Sequence, residues 1–133
     1  MKNKAEEILN LVKEAIATKQ GNNKWVVLGE LPQSDIAKFK NLLDIDFSGY
    51  KRIIDVSAIK HALKEHANLK DTDFCLIPLI IENPDMVGQG ISEDSIVYKK
   101  IFHDEYFYIE YIRKGRKYLA MKTFYKRKNR FKE

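Results

Sequence analysis

Hydrophobic positions in the first third of the chain recur at the spacing of amphipathic helices. From Asn3 to about Thr18 the apolar residues fall three or four positions apart, with lysine and glutamate elsewhere, which predicts a helix. A second helix is predicted from Pro32, which suits a first helical turn because no hydrogen bond is needed from its nitrogen there, to about Leu43. A short strand, Trp25–Gly29, lies between the two helices.

A strand that runs directly into a third helix follows. Lys51–Asp55 is predicted as the strand and Val56–Ala67 as the helix. Asp55 or Ser57 is placed to cap the helix start, because either side chain can accept a hydrogen bond from a backbone N–H of the first turn. This strand–helix unit is the part of the chain around which the functional hypothesis is built.

Two of the three histidines lie on the third helix. The apolar stripe of the helix continues at His66, which predicts that His66 faces the surface on which the helix packs. Five helical residues correspond to about 500° of rotation, so His61 points about 140° away from His66, on the flank that carries Ser57. Imidazole titrates near neutral pH, so the pair has either an acid–base role or an ordinary structural one, and spacing alone leaves both open.

The second half of the chain has the pattern of an antiparallel sheet. Three runs rich in β-branched and aromatic residues predict the strands of a meander: Ser95–Phe102, Glu105–Arg113 and Arg116–Lys126. Lys114-Gly115 is predicted as a two-residue hairpin turn, Phe74–Ile81 as a short apolar segment kinked at Pro78, and Val87–Gly90 as a mobile loop. Helices followed by a meander indicate an α+β fold, with the helices on one face of the sheet.

Length and composition indicate one domain without a disulfide or a membrane span. The chain has 133 residues, and its single cysteine, Cys75, lies in an apolar run and is interpreted as a small buried residue. No apolar run approaches the roughly 18 residues of a membrane span, and the N-terminus lacks the apolar core of a signal peptide. The chain is therefore expected to be cytoplasmic, or delivered by a route that does not use such a signal. His61 and His66 are five residues apart and no carboxylate completes a metal-ligand spacing, so no metal or cofactor is expected.

Positive charge is concentrated near the C-terminus. The net charge is +5, and the stretch from Tyr111 to Lys132 contains ten lysines and arginines and no acid. Such a block attracts polyanions, although a solvated hairpin and tail would have the same composition. The basic residues predicted to bind nucleic acid are Lys100, Arg113, Arg116, Lys117, Lys122, Lys126, Arg127, Lys128 and Arg130.

A histidine-bearing helix packed over a basic sheet suits cleavage of a phosphodiester without a metal. One imidazole would take the 2′-OH proton, another group would protonate the leaving oxygen, and lysine and hydroxyl donors would stabilise the phosphorane, so the substrate would be RNA. Strand alternation places Thr123 and Tyr125 on one face of the last strand and Lys122 and Lys126 on the other. Lys99, on the first strand of the meander, is a further candidate.

The order of these features resembles that of the phage-associated barnase–EndoU–colicin E5/D–RelE-like nuclease domains. The resemblance rests on four segments in sequence order: Ile59-Lys-His61 with His66, Ile77-Pro-Leu-Ile-Ile-Glu-Asn-Pro-Asp-Met-Val87, Ile96-Val-Tyr-Lys99, and Lys122-Thr-Phe-Tyr125. It covers about residues 25–128 as a nuclease-like core, within a single domain of residues 1–133 in which residues 1–20 are a helical extension. It implies an α+β fold, with N-terminal helices packed on one face of a mostly antiparallel sheet of four or five strands.

The resemblance also implies an activity and a set of roles. The expected activity is that of a metal-independent endoribonuclease, a phage or mobile-element effector or toxin. His61 and His66 would be the acid–base pair, Lys99 the charge stabiliser, Thr123 the hydroxyl that positions the phosphate, and Tyr125 a residue that orients a base or phosphate. Expected partners are RNA, with tRNA as a candidate, and an acidic inhibitor or immunity protein.

Two alternatives remain open at this point. A non-catalytic nucleic-acid-binding or phage accessory protein on the same fold would bind RNA in a salt-sensitive manner without needing either histidine. A protein-interaction module would use the first helix as its docking surface, although an amphipathic helix usually covers its own core. Cleavage of RNA in the presence of EDTA distinguishes the nuclease from both.

Overall fold

The computed structural model describes residues 4–18 and 24–128, which form one layer of helices and one sheet. The α-helices are α1 (Lys4–Ala17), α2 (Gln33–Leu43), α3 (Val56–Glu65) and α4 (Ile77–Glu82), and α4 continues a 3-10 helix at Asp71–Leu76. The strands are β1 (Trp25–Glu30), β2 (Lys51–Asp55), β3 (Met86–Gln89), β4 (Ser95–Ile101), β5 (Glu105–Arg113) and β6 (Tyr118–Arg127). The predicted α+β class is confirmed. None of these helices is both long enough and apolar enough to cross a membrane.

The described strands form one sheet in the order β1-β2-β6-β5-β4-β3. Among the described strands, only β2 and β6 pair in parallel, where β2 lies beside the last strand of the antiparallel meander. Within the described residues the sheet has six strands, where four or five were expected. The additional strand is β3, since Met86–Gln89 pairs with β4, and the prediction of a mobile loop at Val87–Gly90 is wrong for this segment.

The sheet has a buried face and an open face, which alternate along each strand. On β5 the residues Tyr106, Tyr108 and Ile112 are buried in the core. The intervening residues Phe107 and Tyr111 are only half-buried, and we call their side of the sheet the open face. Cross-strand partners lie on the same face of a sheet. The register of β4, β5 and β6 therefore shows which paired side chains of the meander lie on the open face and which lie on the buried face.

The helices pack on the buried face. Phe39 of α2 meets Tyr98 of β4 edge-to-face at 6.3 Å, and Phe74 of the 3-10 helix lies 5.1 Å from Phe124 of β6. The apolar side of α1 enters the same core, with Ile8 fully buried. Residues 19–23, which follow the first predicted helix, and the basic residue Arg130 lie outside the described residues.

The strand–helix junction is organised by one cap. The Asp55 carboxylate accepts a hydrogen bond from the Ala58 N–H at 2.8 Å, so Asp55, not Ser57, caps α3. The helix ends at Glu65, two residues earlier than predicted, because the backbone of His66 (φ −130°, ψ 84°) is no longer helical.

The turn between β5 and β6 also differs from the sequence prediction. It covers four residues, Lys114–Lys117, and not the two-residue Lys114-Gly115 turn expected from the sequence. The left-handed backbone conformation falls at Lys117 (φ 55°) and not at Gly115. The longer turn shortens β6 at its start, which is Tyr118 instead of Arg116.

A buried ionic network ties the strands together on the buried face. The Arg52 guanidinium of β2 lies 3.2 Å from the Glu110 carboxylate of β5, and it also donates to the Tyr98 hydroxyl at 3.0 Å. Tyr98 in turn donates to Glu110 at 2.6 Å, and Asp35 of α2 lies 3.4 Å from Arg52. Burial raises the pKa of Glu110, an effect that the charge of Arg52 only partly offsets. The network links three strands and a helix beneath the open face.

Candidate active site on the open face of the sheet

His66 reaches the open face because α3 lies alongside β6. Its imidazole stacks on the ring of Tyr125, with centroids 5.1 Å apart and planes inclined by 27°. Just beyond the helix, Asn68 donates to the Lys126 carbonyl at 3.2 Å, which holds the chain against β6. The expectation that His66 faces the surface on which the helix packs is therefore confirmed.

The imidazole ends a row of side chains that crosses the meander. The Tyr125 ring stacks on Phe107 of β5, with ring centroids 4.8 Å apart and planes inclined by 14°. On its other side Phe107 has Lys99 of β4 as its cross-strand partner. The Lys99 ammonium lies 5.7 Å from the Phe107 ring centroid. Because adjacent strands are about 4.8 Å apart, the row from Lys99 to Tyr125 extends about 10 Å. The structure thus brings three of the five predicted catalytic residues, His66, Tyr125 and Lys99, into one row.

A buried carboxylate fixes the cations at this row. Glu105 is only 2% exposed, and its two oxygens lie 3.2 Å from the Lys99 ammonium and 2.7 Å from the Arg127 guanidinium. The hydrogen bond from Arg127 holds the pKa of Glu105 below its usual value; burial opposes this effect and Lys99 adds to it. Arg127 also covers Phe107, at 4.8 Å from the ring centroid. Lys99 is therefore held in position by an ion pair.

Thr123 lies on the same face as Tyr125, two residues earlier on β6, as strand alternation predicts. Its hydroxyl is covered and has no hydrogen-bond partner among the described residues. A buried hydroxyl normally has a partner, and one without a partner costs free energy. Rotation of Thr123 toward an incoming acceptor would therefore break no existing hydrogen bond.

His61 and Cys75 lie apart from the row. His61 is exposed on the Ser57 flank of α3, as the helical spacing predicts. Burial raises the pKa of the Cys75 thiol, whose sulfur lies 3.7 Å from the Ala5 carbonyl oxygen. Among residues 4–18 and 24–128, no group of three or more His, Cys, Asp or Glu side chains is placed to hold a metal ion.

The predicted basic residues divide between the two faces. Arg113, Arg116 and Lys122 line a groove on the open face. Lys126 and Lys100 instead point to the buried face, where their ammonium groups pair with acidic residues. Three other predicted basic residues are exposed: Lys117, Arg127 and Lys128. Of these, Arg127 forms an ion pair with Glu105.

Three residues of the site were missed from the sequence: Glu105, Phe107 and Trp25, the last of which lines the groove. Glu105 and Phe107 sit in an alternating strand pattern that gives them no distinctive signal, and their position beside Lys99 and Arg127 depends on cross-strand register. Trp25 carries one usable signal, since it is the only tryptophan of the chain and starts a short strand.

Comparison with known protein families assigns the chain. The sequence model of the phage-barnase-EndoU-colicin E5/D-RelE-like nuclease 3 family matches residues 33–133. The chain belongs to this nuclease family. The match includes α2, α3, β2 to β6 and every candidate residue of the open-face row, while α1 and β1 precede it. No curated protein and no solved structure matches the chain significantly.

Proposed function

We propose that this member of the nuclease family is a metal-independent endoribonuclease whose active site is the open face of the sheet. The observation that carries the proposal is the His66–Tyr125–Phe107–Lys99 row, which presents an imidazole and an ammonium on a half-exposed surface. An imidazole can transfer a proton in this chemistry, and a fixed cation can bind the charged RNA backbone.

The reaction is an intramolecular transesterification. The RNA 2′-oxygen attacks the adjacent phosphorus while a base removes its proton, and the bond from phosphorus to the 5′-oxygen breaks as an acid protonates that oxygen. The products are a 2′,3′-cyclic phosphate and a 5′-hydroxyl. A substrate without the 2′-OH cannot react in this way.

The proposed roles follow the placement of the residues. His66 exchanges the proton at the scissile phosphate, and stacking on Tyr125 fixes the plane of its ring. The Thr123 hydroxyl, which has no hydrogen-bond partner among the described residues, donates to an oxygen of that phosphate. Lys99, held by Glu105 at the other end of the row, binds the adjoining RNA backbone as a fixed cation. His61 lies apart from the row on the other flank of α3, so its candidacy for the second proton transfer rests on the family resemblance and not on its position.

The test compares the parent with His66→Phe on tRNA and total RNA in EDTA. Phenylalanine preserves the stack on Tyr125 but cannot transfer a proton, so cleavage should fall by about 10²- to 10⁴-fold while RNA binding is retained. Comparison of His66→Ala with His66→Phe shows how much the stack on Tyr125 contributes apart from proton transfer. His61→Ala tests whether His61 makes the second proton transfer. Circular dichroism confirms that each variant is folded, and parallel purification controls for contaminating nucleases.

Several outcomes would count against the proposal. Equal cleavage by the parent and by His66→Phe would remove His66 from the chemistry. Cleavage of an RNA whose 2′-hydroxyls are all methylated would exclude the cyclising mechanism. A folded parent that binds RNA and leaves it intact would favour a non-catalytic binding protein, and a parent that needs a divalent cation would refute metal independence.

A further inference from the structure

A groove with a volume of about 990 Å³ adjoins the catalytic row on the open face. Its walls come from the start of β1, the junction of β2 and α3, the end of β5 with the following turn, and the middle of β6. The side chains that matter for its chemistry are Trp25, Asp55, Tyr111, Arg113, Arg116 and Lys122. The volume is at the upper end of the roughly 300–1,000 Å³ of ligand pockets, so it exceeds what one ion would need.

The groove is electropositive. Arg113, Arg116 and Lys122 contribute three cations, and all three side chains are exposed. The carboxylate of Asp55 is already engaged as the cap of α3, at 2.8 Å from a backbone nitrogen. The Arg113 guanidinium lies 5.2 Å from the Tyr111 ring centroid, which limits its freedom and leaves its outer donors accessible. An anionic, extended ligand fits these walls better than a neutral one.

The β-sheet is irregular at the lysine of the groove. Met121 pairs with Glu110 and Thr123 pairs with Ile109, which leaves Lys122 as the extra residue of a β-bulge. Bulges re-aim side chains and are enriched beside functional sites. Here the bulge interrupts the alternation of side chains along β6, so Lys122 and the neighbouring Thr123 both lie on the open face.

Trp25 supplies a flat apolar surface at the rim of the groove. Its side chain is 46% exposed, although its ring also contacts Tyr118, with centroids 6.3 Å apart. Exposed tryptophan beside arginine and lysine is the combination by which proteins bind single-stranded nucleic acids, because bases stack on the ring while cations follow the phosphates. Duplex bases are already stacked on one another and are not available to the indole.

We propose that this groove binds an unpaired RNA segment that flanks the scissile phosphate, with a base stacked on Trp25 and phosphates held by Arg113, Arg116 and Lys122. The inference rests on the proposed function, because the groove and the catalytic row are joined through β6. At about 3.3 Å per residue, Lys122 lies about 10 Å along the strand from Tyr125, close enough for one RNA strand to occupy both. The groove thus assigns single-stranded RNA as the substrate class.

The test uses Trp25 as its own probe, because it is the only tryptophan of the chain. A single-stranded oligonucleotide with all 2′-hydroxyls methylated cannot be cleaved and should quench the tryptophan fluorescence on binding, whereas the matching duplex should do so far less. Trp25→Ala should weaken binding of a dye-labelled form of this oligonucleotide by about 5- to 150-fold, measured by anisotropy. Trp25→Phe, which keeps a ring, should lose less.

The cations are tested through salt dependence. The triple variant Arg113→Gln/Arg116→Gln/Lys122→Gln should lower the slope of log affinity against log salt by about 2, at roughly 0.7 per phosphate contact to a single strand. Lys38→Gln, at an exposed position of α2, is the matched control and should leave the slope unchanged.

Three results would overturn the assignment: binding without fluorescence quenching, an unchanged affinity of Trp25→Ala, or a duplex bound as tightly as the single strand. Quenching by poly-glutamate at the same concentration as the oligonucleotide would also overturn it, in favour of an acidic protein ligand. The non-cleavable probe separates the two proposals. Quenching without any cleavage of ordinary RNA would refute the proposed catalysis alone, and cleavage without quenching would refute the groove alone.

Discussion

Replacement of Glu110 by alanine is expected to destabilise the fold by about 3–5 kcal/mol, because it removes the fully buried counter-ion of the Arg52 guanidinium and leaves only the more exposed carboxylate of Asp35, 3.4 Å away. The side chains of Arg52 and Glu110 are 5% and 0% exposed, so water cannot replace the lost carboxylate. Tyr98 also loses its acceptor, which adds to the loss, whereas the remaining ion pair of Arg52 with Asp35 reduces it. A loss of this size is a large fraction of the 5–15 kcal/mol stability of an ordinary domain.

The same reasoning predicts that removing both charges is less harmful than removing one. The double variant Arg52→Met/Glu110→Leu fills the space with apolar groups and removes both fully buried charges. Only the more exposed carboxylate of Asp35 loses its partner, so the double variant should be more stable than Glu110→Ala. Lys40→Ala is the control, because Lys40 forms its ion pair with Asp44 at the exposed surface and should change stability much less.

Urea denaturation followed by circular dichroism measures all three variants, and thermal unfolding should show a lower Tm for Glu110→Ala by about 10–20 °C. A loss below 1 kcal/mol for Glu110→Ala would refute the view that the buried pair ties β2 to β5. A double variant no more stable than Glu110→Ala would refute the argument from unpaired charge, because removing the second buried charge would then restore nothing.

Two further predictions concern acid stability and the catalytic row. Burial would raise the pKa of Asp73, but hydrogen bonds from the Lys70 backbone, from Lys126 and from Tyr106 outweigh it and hold that pKa below its usual value. The ionised carboxylate of Asp73 therefore stabilises the fold above about pH 4, and this stabilisation is lost as the pH falls further. In urea titrations Asp73→Asn should lose less stability than the parent between pH 7 and pH 3. Tyr125→Ala should reduce RNA cleavage by about two- to tenfold through loss of stacking, whereas Tyr125→Phe should cleave normally, and equal losses in both variants would assign the role to the hydroxyl.

Local signals in the sequence were sufficient for the strand–helix unit and for most of the meander. The cap at Asp55 and the start of α3 depend on side chains within three residues of one another, so the sequence contains the information. The strand β3 has no comparable signal, because Met86–Gln89 contains a glycine and is held by pairing with β4. The parallel pairing of β2 with β6 is likewise a contact between segments distant in sequence.

The candidate site shows the same division between local and non-local information. Helical spacing predicts that His66 faces the packing surface and His61 does not, and strand spacing places Thr123 and Tyr125 on one face. Lys122 breaks that spacing, because a bulge set by the register with β5 re-aims it toward the groove. A bulge of this kind depends on the partner strand and cannot be derived from the alternation of β6 alone.

The connection between β4 and β5 determines whether Lys99 joins the row of side chains on the open face. The strand bounds predicted from sequence leave two residues between the strands, which would pair Phe102 with Glu105 and Lys99 with Tyr108 on the buried face. The actual connection is one residue longer, so Lys99 pairs with Phe107 and lies on the open face. Since a slip of one residue moves every side chain of a strand to the other face, shortening this turn by one residue should abolish cleavage even where the protein still folds.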